Sequence, residues 1–214
     1  MSPKEKRRIS TIFRILKQDN PEPRGDLVFK NPFELLVAVV LSAQATDVSV
    51  NKATPALFEQ APDPQAMVDL GIDGIREHIR SIGLFNNKAK NIHALSQELL
   101  DRFAGEVPQN RPDLESLPGV GRKSANVVLN VAFGQPTLAV DTHVFRVAHR
   151  LGFATGKTPT AVEKQLLQVV PKTYMDHAHH WMILHGRYIC KARKPECAAC
   201  LIERYCTFTE KKTS

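Results

Sequence analysis

The sequence predicts an all-α protein of about ten helices, and three observations lead to this fold class. Apolar residues recur three and four positions apart along most of the 214 residues, as they do on the buried face of a helix. Gly or Pro lies at nearly every junction between these segments. No segment alternates apolar and polar residues for long, and the nearest, TLAV at 137–140, is too short to support a sheet.

The first two helices have explicit start signals. Ser2-Pro3-Lys4-Glu5 is a capping box with Pro at the first helical position, and this helix is predicted to stop at Asn20-Pro21. Asn31-Pro32 repeats the signal before ELLVAVVLSAQ, which is apolar enough to be buried on most sides. Further helices are predicted at about 63–70, 73–81, 86–104, 110–116, 122–134, 142–151, 159–170 and 175–189. The last residues, TEKKTS, are expected to fray.

Composition indicates a globular chain of one large domain or two small ones. The apolar share of 43% and the charged share of 24% are ordinary for such proteins, which excludes a disordered or fibrous class. The longest apolar run, from Leu35 to Leu41, is too short to span a bilayer, and the N-terminus lacks a signal-peptide pattern. We therefore expect an intracellular, cytoplasmic protein.

The excess positive charge is concentrated at the two ends of the chain. Residues 1–30 carry eight Lys/Arg against four Asp/Glu, and residues 186–214 carry seven against three. The net charge of the whole chain is +7, so the long middle is close to neutral. A basic balance points to a polyanionic partner, most often nucleic acid, although ordinary solubilising charge explains the net value equally well.

All four cysteines lie within 17 residues, in a C-x6-C-x2-C-x5-C pattern that predicts a metal site at Cys190, Cys197, Cys200 and Cys206. Disulfides are not expected in a cytosolic protein. Four thiolates suit either a zinc ion or an iron–sulfur cluster. A zinc ribbon usually has two CxxC pairs, and the single pair here favours one [4Fe–4S] cluster with a structural role.

The loop between the first two cysteines is basic. Lys191, Arg193 and Lys194 lie within it, and a rigid cationic loop beside a metal could hold DNA phosphates. A merely solvated loop is the alternative. Histidines nearby lack a carboxylate pattern and are expected on a helix surface or in the core, not in a second metal site: His177, His179, His180 and His185.

The segment LPGVG between two predicted helices indicates a helix-hairpin-helix turn. Its glycines permit a positive φ and close approach of the backbone, so N–H groups at the start of the next helix could hold a phosphate without reading sequence. A plain connection is the alternative. Lys123 follows in the first turn of that helix, where the positive dipole end is unfavourable for a cation. Asp141 precedes another helix, and taken alone it is best interpreted as an N-cap.

Taken together, these motifs resemble the endonuclease III family of DNA glycosylases. The resemblance is carried by four segments that occur in the family's order and spacing between about residue 30 and residue 206: LLVAVVLSAQATDVSVNKATPAL, IGLFNNKAKNI, LPGVGRKSANVVLNVAFGQPTLAVDTHVFRVAHR and HHWMILHGRYICKARKPECAACLIERYC. The cysteine pattern is that of the family's [4Fe–4S] site, and the hairpin, Lys123 and Asp141 match its active-site signature.

The resemblance implies a bifunctional glycosylase and abasic-site lyase acting on oxidised pyrimidines such as thymine glycol. Lys123 would attack C1′ of a flipped nucleotide, and the adjacent Arg122 and helix terminus both disfavour its cation. Asp141 would assist the nucleophile and stabilise positive charge on the sugar. Gln44 would fill the gap left by the extruded nucleotide, while Leu84 would wedge from the other side. From composition alone, Leu84 is a core residue.

Further site residues follow from the same resemblance. Asp47 is a candidate active-site carboxylate at the DNA interface, with an N-cap as its alternative. The hairpin residues expected to contact DNA are Leu117, Gly119, Val120, Gly121 and Arg122. The partner would be double-stranded DNA containing damaged pyrimidines or abasic sites, and the protein would be monomeric.

The implied architecture is two helical domains with a DNA-binding cleft between them. A six-helix domain would span 25–135 and contain the hairpin motif at about 110–134, and residues 1–24 with 136–214 would form the iron–sulfur domain. Two other functions remain open. A monofunctional adenine-mismatch glycosylase usually lacks the lysine and has an extra C-terminal domain, and a non-catalytic hairpin module gives no reason for the Lys123–Asp141 spacing.

Overall fold

The computed structural model describes residues 1–211, and within that range the all-α prediction is confirmed. The end of the TEKKTS segment, residues 212–214, lies outside the described residues. The helices are α1 Pro3–Asp19, α2 Pro32–Leu41, α3 Asp47–Gln60, α4 Pro64–Ile79, α5 Phe85–Phe103, α6 Arg111–Ser116, α7 Arg122–Phe133, α8 Thr142–Arg150, α9 Pro159–Val169 and α10 Met175–Leu184. A π-helical turn, His185–Ile189, continues α10, and 3-10 turns lie at Lys172–Tyr174, Cys197–Ala199 and Glu203–Tyr205.

The start signals read from the sequence are confirmed as caps. Ser2 Oγ accepts a hydrogen bond from the Glu5 N–H at 3.2 Å, and Asn31 Oδ1 accepts one from the Glu34 N–H at 2.9 Å. The buried Glu34 carboxylate in turn accepts a bond from the N–H of Lys30, the residue before the N-cap. Each cap satisfies N–H groups that have no partner inside the helix.

One helix is absent from the sequence prediction. Helix α3 contains Pro55, which argues against a helix, although its buried residues Val50, Ala53, Leu57 and Phe58 are spaced as on one helical face. The two helices predicted at 63–70 and 73–81 are confirmed as the two parts of α4, because Gly71 between them has non-helical backbone angles. The φ of Gly71 is 73°, a left-handed value that favours glycine, so the turn signal is confirmed as well.

The chain divides into two compact units. The central unit is Asp26–Gly134, and the discontinuous unit combines Met1–Gly25 with Gln135–Ser214. Helix α2 lies in the core of the central unit, where nine of its ten residues are buried. A helix that is apolar on all sides must be surrounded by others, and α3, α5 and α7 pack against it. Helix α7, which begins at the predicted hairpin, is thereby fixed to the core.

The discontinuous unit is held together by an aromatic cluster that joins distant parts of the sequence. The Phe13 ring on α1 stacks on Phe153 at 5.7 Å and on Tyr174 at 5.8 Å. The Trp181 Nε1–H on α10 donates to the Asn20 carbonyl oxygen at 2.8 Å. Helix α1 therefore belongs to the same core as α8, α9 and α10. In residues 1–211 no helix has both the length and the apolar character needed to cross a membrane.

Candidate functional site

The predicted hairpin turn connects α6 to α7, and its two apolar side chains anchor it. The Val120 N–H donates to the Leu117 carbonyl oxygen at 3.1 Å, which closes the turn. Both side chains are buried in the core of the central unit. The side chains and N–H groups of Leu117 and Val120 are therefore used within the protein, while the glycines at 119 and 121 are exposed.

The two turn glycines have different structural roles. Gly119 has a φ of 79°, and a Cβ there would lie 2.9 Å from Asn91 Nδ2, so both backbone and space require glycine. Gly121 has an ordinary φ of −95°, and a Cβ there would meet no atom within 4 Å. Gly121 is the N-cap of α7 and supplies no side-chain acceptor. The first N–H groups of α7 consequently face outward as a potential anion site.

Lys123 lies directly beside these N–H groups. It is the second residue of α7 and its side chain is exposed. The neighbouring Arg122 lies 4.0 Å from Glu115, so the guanidinium is turned toward α6. An exposed amine beside an anion site can act as a nucleophile on a molecule whose phosphate occupies that site. The sequence-based placement of Lys123 in the first turn of a helix is correct.

Asp141 caps α8 in the discontinuous unit. Its Oδ1 accepts a hydrogen bond from the Val144 N–H at 2.8 Å, which confirms the N-cap interpretation. A carboxylate has two oxygens, and this bond uses one of them. The half-buried Asp141 can therefore cap the helix and retain a negative charge for a second role. Asp141 and Lys123 belong to different units.

Gln44 and Leu84 lie in two adjacent turns of the central unit with unusual backbone geometry. Their φ values are 54° and 61°, left-handed values that are uncommon for residues other than glycine. A Cβ on Gly83 would lie 3.9 Å from the Gln44 carbonyl oxygen, so the two turns adjoin. The Leu84 side chain is 57% exposed, and the core placement expected from composition is therefore wrong. Neither Gln nor Leu is a residue type that favours a positive φ, so the sequence does not predict the left-handed backbone at Gln44 and Leu84.

Asp47 follows the Gln44 turn as the first residue of α3. The N-cap is Thr46, whose Oγ1 accepts a hydrogen bond from the Ser49 N–H at 3.2 Å. The alternative interpretation of Asp47 as an N-cap is therefore wrong. An acidic side chain in a first turn is stabilised by the helix dipole. Asp47 is half-buried, and the exposed Gln44 lies three residues before it.

The four cysteines line one cavity in the discontinuous unit. The cavity is small, about 20 Å³, and Cys190, Cys197, Cys200 and Cys206 all border it. Burial raises the pKa of the Cys200 thiol to about 11, and the neighbouring sulfurs contribute to the shift. Among the side chains of residues 1–211, no group of three or more Cys, His, Asp or Glu is arranged to hold a single metal ion.

Two histidines in this region are core residues. The buried His179 Nδ1 donates to the Ala139 carbonyl oxygen at 2.8 Å. His185 borders the cysteine cavity, where burial lowers the pKa of the imidazole to about 4. Its Nε2 lies 3.9 Å from Cys200 Sγ. These positions agree with the expectation of core or surface histidines.

Arginines that the sequence analysis overlooked fasten the cysteine segment. Arg150 donates to the carbonyl oxygens of Lys191 at 2.7 Å and Ala192 at 2.9 Å, and its Nη1 lies 3.4 Å from Cys190 Sγ. Arg146, one turn earlier on α8, donates to the Cys190 and Gly186 carbonyl oxygens. Both guanidiniums are used by the protein itself. The sequence does contain a sign of this role. Arg146 and Arg150 are four residues apart, so they lie on the same face of a helix that precedes the cysteine-rich segment.

The basic loop between Cys190 and Cys197 is partly neutralised. Lys191 Nζ lies 3.2 Å from Glu196 Oε1, so this lysine is engaged in an ion pair. Arg193 and Lys194 are exposed. These two side chains are therefore better placed than Lys191 to meet an external anion.

Comparison with known proteins shows which class of protein this chain belongs to. Residues 37–172 match the family model described as HhH-GPD superfamily base excision DNA repair protein. Endonuclease III of Haemophilus influenzae is 56% identical over 205 residues, which are 96% of this chain and 97% of that protein. Endonuclease III of Escherichia coli K12 is 56% identical over 200 residues, 94% of this chain and 95% of that protein.

A solved structure gives the same result. A trapped covalent intermediate of endonuclease III with DNA superposes with a TM-score of 0.87 at 47% sequence identity, covering 94% of this chain and 95% of that one. The chain belongs to the endonuclease III family of the HhH-GPD superfamily of base excision DNA repair proteins. The resemblance read from the sequence motifs is confirmed.

Proposed function

We propose that the protein is a bifunctional DNA glycosylase and abasic-site lyase that removes oxidised pyrimidines, such as thymine glycol, from double-stranded DNA. The carrying observation is the exposed Lys123 amine, which directly follows a turn that offers N–H groups to a phosphate. Membership of a base excision repair family supports this proposal, as does the covalent DNA intermediate formed by its endonuclease III relative. We further propose that it acts as a monomer in the bacterial cytoplasm.

Lys123 is the proposed nucleophile. The lone pair of its neutral amine attacks C1′ of the damaged nucleotide, and the C1′–N bond breaks as its electron pair leaves with the base, which takes up a proton. Loss of a proton from the amine and opening of the sugar give an imine between Nζ and C1′. Removal of a C2′ proton then expels the 3′ phosphate by breaking the C3′–O bond. Water finally hydrolyses the imine and releases the enzyme.

Asp141 is proposed to assist this attack. Its carboxylate would hold or accept the amine proton and stabilise positive charge on the sugar, while its hydrogen bond to Val144 keeps the side chain in one orientation. Asp47 is proposed as a further carboxylate at the DNA interface. Asp141 can hold the amine proton and stabilise the sugar charge without breaking its cap, since the cap uses a single carboxylate oxygen.

The Gln44 and Leu84 turns are proposed to enter the DNA. An exposed apolar side chain on a constrained turn is suited to separating stacked bases, and an exposed amide is suited to replacing the hydrogen bonds of an extruded base. The hairpin backbone at Gly119 and Gly121 is proposed to hold a phosphate together with Arg122, while Leu117 and Val120, whose N–H groups donate within the protein, hold the turn in shape. In the cysteine loop, Arg193 and Lys194 would add phosphate contacts, with a smaller contribution from the paired Lys191.

The four cysteines are proposed to hold one [4Fe–4S] cluster. This proposal is supported by the four thiols that border one cavity and by the single CxxC pair in the cysteine pattern. When bound, the cluster would cross-link the segments around the four cysteines and contribute folding free energy. The discontinuous unit is accordingly proposed as the iron–sulfur domain and the central unit as the six-helix hairpin domain. Arg146 and Arg150 would hold the backbone of the cluster segment in place.

The cluster assignment predicts a coloured protein. We expect anaerobically purified protein to contain about four iron atoms and as many acid-labile sulfides per chain, with broad visible absorption. Metal removal should lower the unfolding temperature, because the thiolate bonds contribute to folding. A colourless protein that binds stoichiometric zinc and lacks sulfide would contradict the assignment.

The function itself is tested with a labelled duplex that contains one thymine glycol. The proposal expects strand cleavage at the lesion without added alkali and no cleavage of the undamaged duplex. Breaks that appear only after alkali treatment would indicate a monofunctional glycosylase. Binding without base release would indicate a hairpin DNA-binding module, and either result would overturn the lyase proposal.

Substitution of the two hairpin glycines should affect fold stability and DNA binding separately. Gly121→Ala should leave stability within about 0.5 kcal/mol, because the added methyl meets open space, yet weaken DNA binding about tenfold by displacing a phosphate. Gly119→Ala should destabilise the fold by about 1 kcal/mol or more, because its φ is positive and Asn91 is in the way. Thermal unfolding and fluorescence anisotropy measure the two effects. Unchanged DNA affinity in Gly121→Ala would contradict the phosphate role.

A further inference from the structure

Lys88 on α5 is a buried amine without a partner. Its side chain is 4% exposed, and it is the one buried lysine within residues 1–211. In that range its Nζ forms no hydrogen bond. Burial lowers the pKa of the amine, because the charged form loses hydration. Buried polar groups normally have partners, so this arrangement is energetically unfavourable.

Lys88 lies close in the chain to the turn that carries Leu84, which adjoins the turn that carries Gln44. The Lys88 N–H donates to the Leu84 carbonyl oxygen at 3.1 Å, so Lys88 lies one helical turn after Leu84. Helical side chains lean toward the N-terminus of their helix, which directs the Lys88 stem over the Leu84 end of α5. The Gln44 turn adjoins this end through the 3.9 Å approach of its carbonyl oxygen to the Cβ position of Gly83.

Two unfavourable features thus occur within one turn of α5. Left-handed backbone is unfavourable for Leu84 and for Gln44 in the adjoining turn, and an amine without a partner is unfavourable at Lys88. Leu84 is also the N-cap of α5 and provides no side-chain acceptor. A change in the two turns that brings a carbonyl oxygen to the amine would relieve both features at once. A ligand that binds only the changed conformation would then be favoured.

We propose that Lys88 is a positioning residue for DNA insertion: when Gln44 and Leu84 enter the duplex, the Lys88 amine donates hydrogen bonds to backbone carbonyl oxygens of their turns and holds the inserted conformation. This inference rests on the proposed DNA insertion of those two side chains. The unpartnered amine disfavours the described conformation of the turns, and in the proposed complex the same amine is satisfied. Lys88 therefore acts through the turns and does not touch the reacting atoms.

The test compares Lys88→Met with Lys90→Met in the full-length, metal-loaded protein. Met has nearly the shape of Lys without the amine, and Lys90 is an exposed lysine on the same helix that controls for the lost charge. The measurements are the unfolding temperature, the affinity for a duplex with an uncleavable abasic analogue, its dependence on salt, and the fluorescence of 2-aminopurine opposite the analogue. The fluorescence reports unstacking at the insertion site.

Lys88→Met should raise the unfolding temperature by about 2–4 °C, because a buried polar group without a partner is removed. It should weaken binding to the abasic duplex about tenfold and reduce the fluorescence change, while undamaged DNA binds as before. Its salt dependence should match that of the wild type. Lys90→Met should show neither the stabilisation nor the loss of fluorescence.

Three results would overturn the proposal. A lower unfolding temperature in Lys88→Met would mean that the amine is already satisfied in the free protein. A salt slope reduced by about 0.9 would mean that the amine contacts a phosphate directly. Unchanged abasic-duplex affinity and fluorescence would mean a purely structural lysine. Two controls distinguish failure of the Lys88 inference from failure of the proposed function. These are DNA cleavage by the wild type and the fluorescence change of Leu84→Ala. If the wild type cleaves the DNA, and Leu84→Ala loses the fluorescence change while Lys88→Met retains it, only the Lys88 inference fails.

Discussion

Replacement of Lys123 by Gln is expected to abolish the covalent adduct with DNA. Borohydride reduces an imine to a stable amine, so wild-type protein incubated with a thymine glycol or abasic duplex should be trapped as a protein–DNA species of higher mass. Gln has no nucleophilic amine, and its lyase rate should fall by about 10³-fold or more. The change should leave the fold intact, because Lys123 is exposed in the first turn of α7. Denaturing gels and single-turnover cleavage assays measure both effects.

The matched control for this variant is Lys90→Gln, which removes another exposed lysine of the central unit. It should be trapped as efficiently as the wild type. A wild-type protein that gives no adduct on either substrate would refute the lyase mechanism. If Lys123→Gln is still trapped, the nucleophile is another amine of the chain. The proposed function would then lose its main supporting observation, the exposed Lys123 amine.

Asp141→Asn is expected to separate capping from catalysis. Asn retains a side-chain oxygen for the Val144 N–H, so stability should change by less than about 0.5 kcal/mol. The loss of the negative charge should lower the single-turnover rate of base release by about 10²–10⁴-fold. Asp141→Ala should show the same loss of rate and a further loss of about 1 kcal/mol in the free energy of unfolding, since the cap is removed as well.

Denaturant unfolding and rapid-quench kinetics on the same preparations give the two quantities. A slow but stable Asp141→Asn protein means that the carboxylate acts in the chemistry. If Asp141→Asn releases the base at the wild-type rate, the charge is dispensable, and Asp141 is only the cap of α8. A large loss of stability in Asp141→Asn would contradict the interpretation of the Val144 contact as a cap that Asn can reproduce.

Local signals in the sequence predicted most of the helices. The caps at Ser2, Asn31 and Asp141 could be read because a capping side chain and its target are three residues apart. Helix α3 was missed because Pro55 lies inside it, and an internal Pro normally argues against a helix. Tertiary packing on α2 overrides that local preference.

The site could be predicted only where its motif is contiguous. The hairpin and Lys123 occupy one short segment, so their geometry follows from turn and helix rules. The left-handed φ of Leu84, the hydrogen bonds from Arg150 to the cysteine loop and the unpartnered amine of Lys88 depend on packing between distant segments. No periodicity encodes them. Burial without a partner is a property of the folded chain, and composition would assign Lys88 to the surface.

The discontinuous unit has a consequence for how the protein is made. Helix α1 leaves the ribosome first, but Phe153, which stacks on Phe13, follows 140 residues later. At typical bacterial translation speeds this delay is on the order of ten seconds. During that interval the continuous central unit can complete its core, while the apolar face of α1 has no partner. We therefore expect the nascent chain to expose Ile9, Ile12 and Phe13 until its C-terminal third has been synthesised.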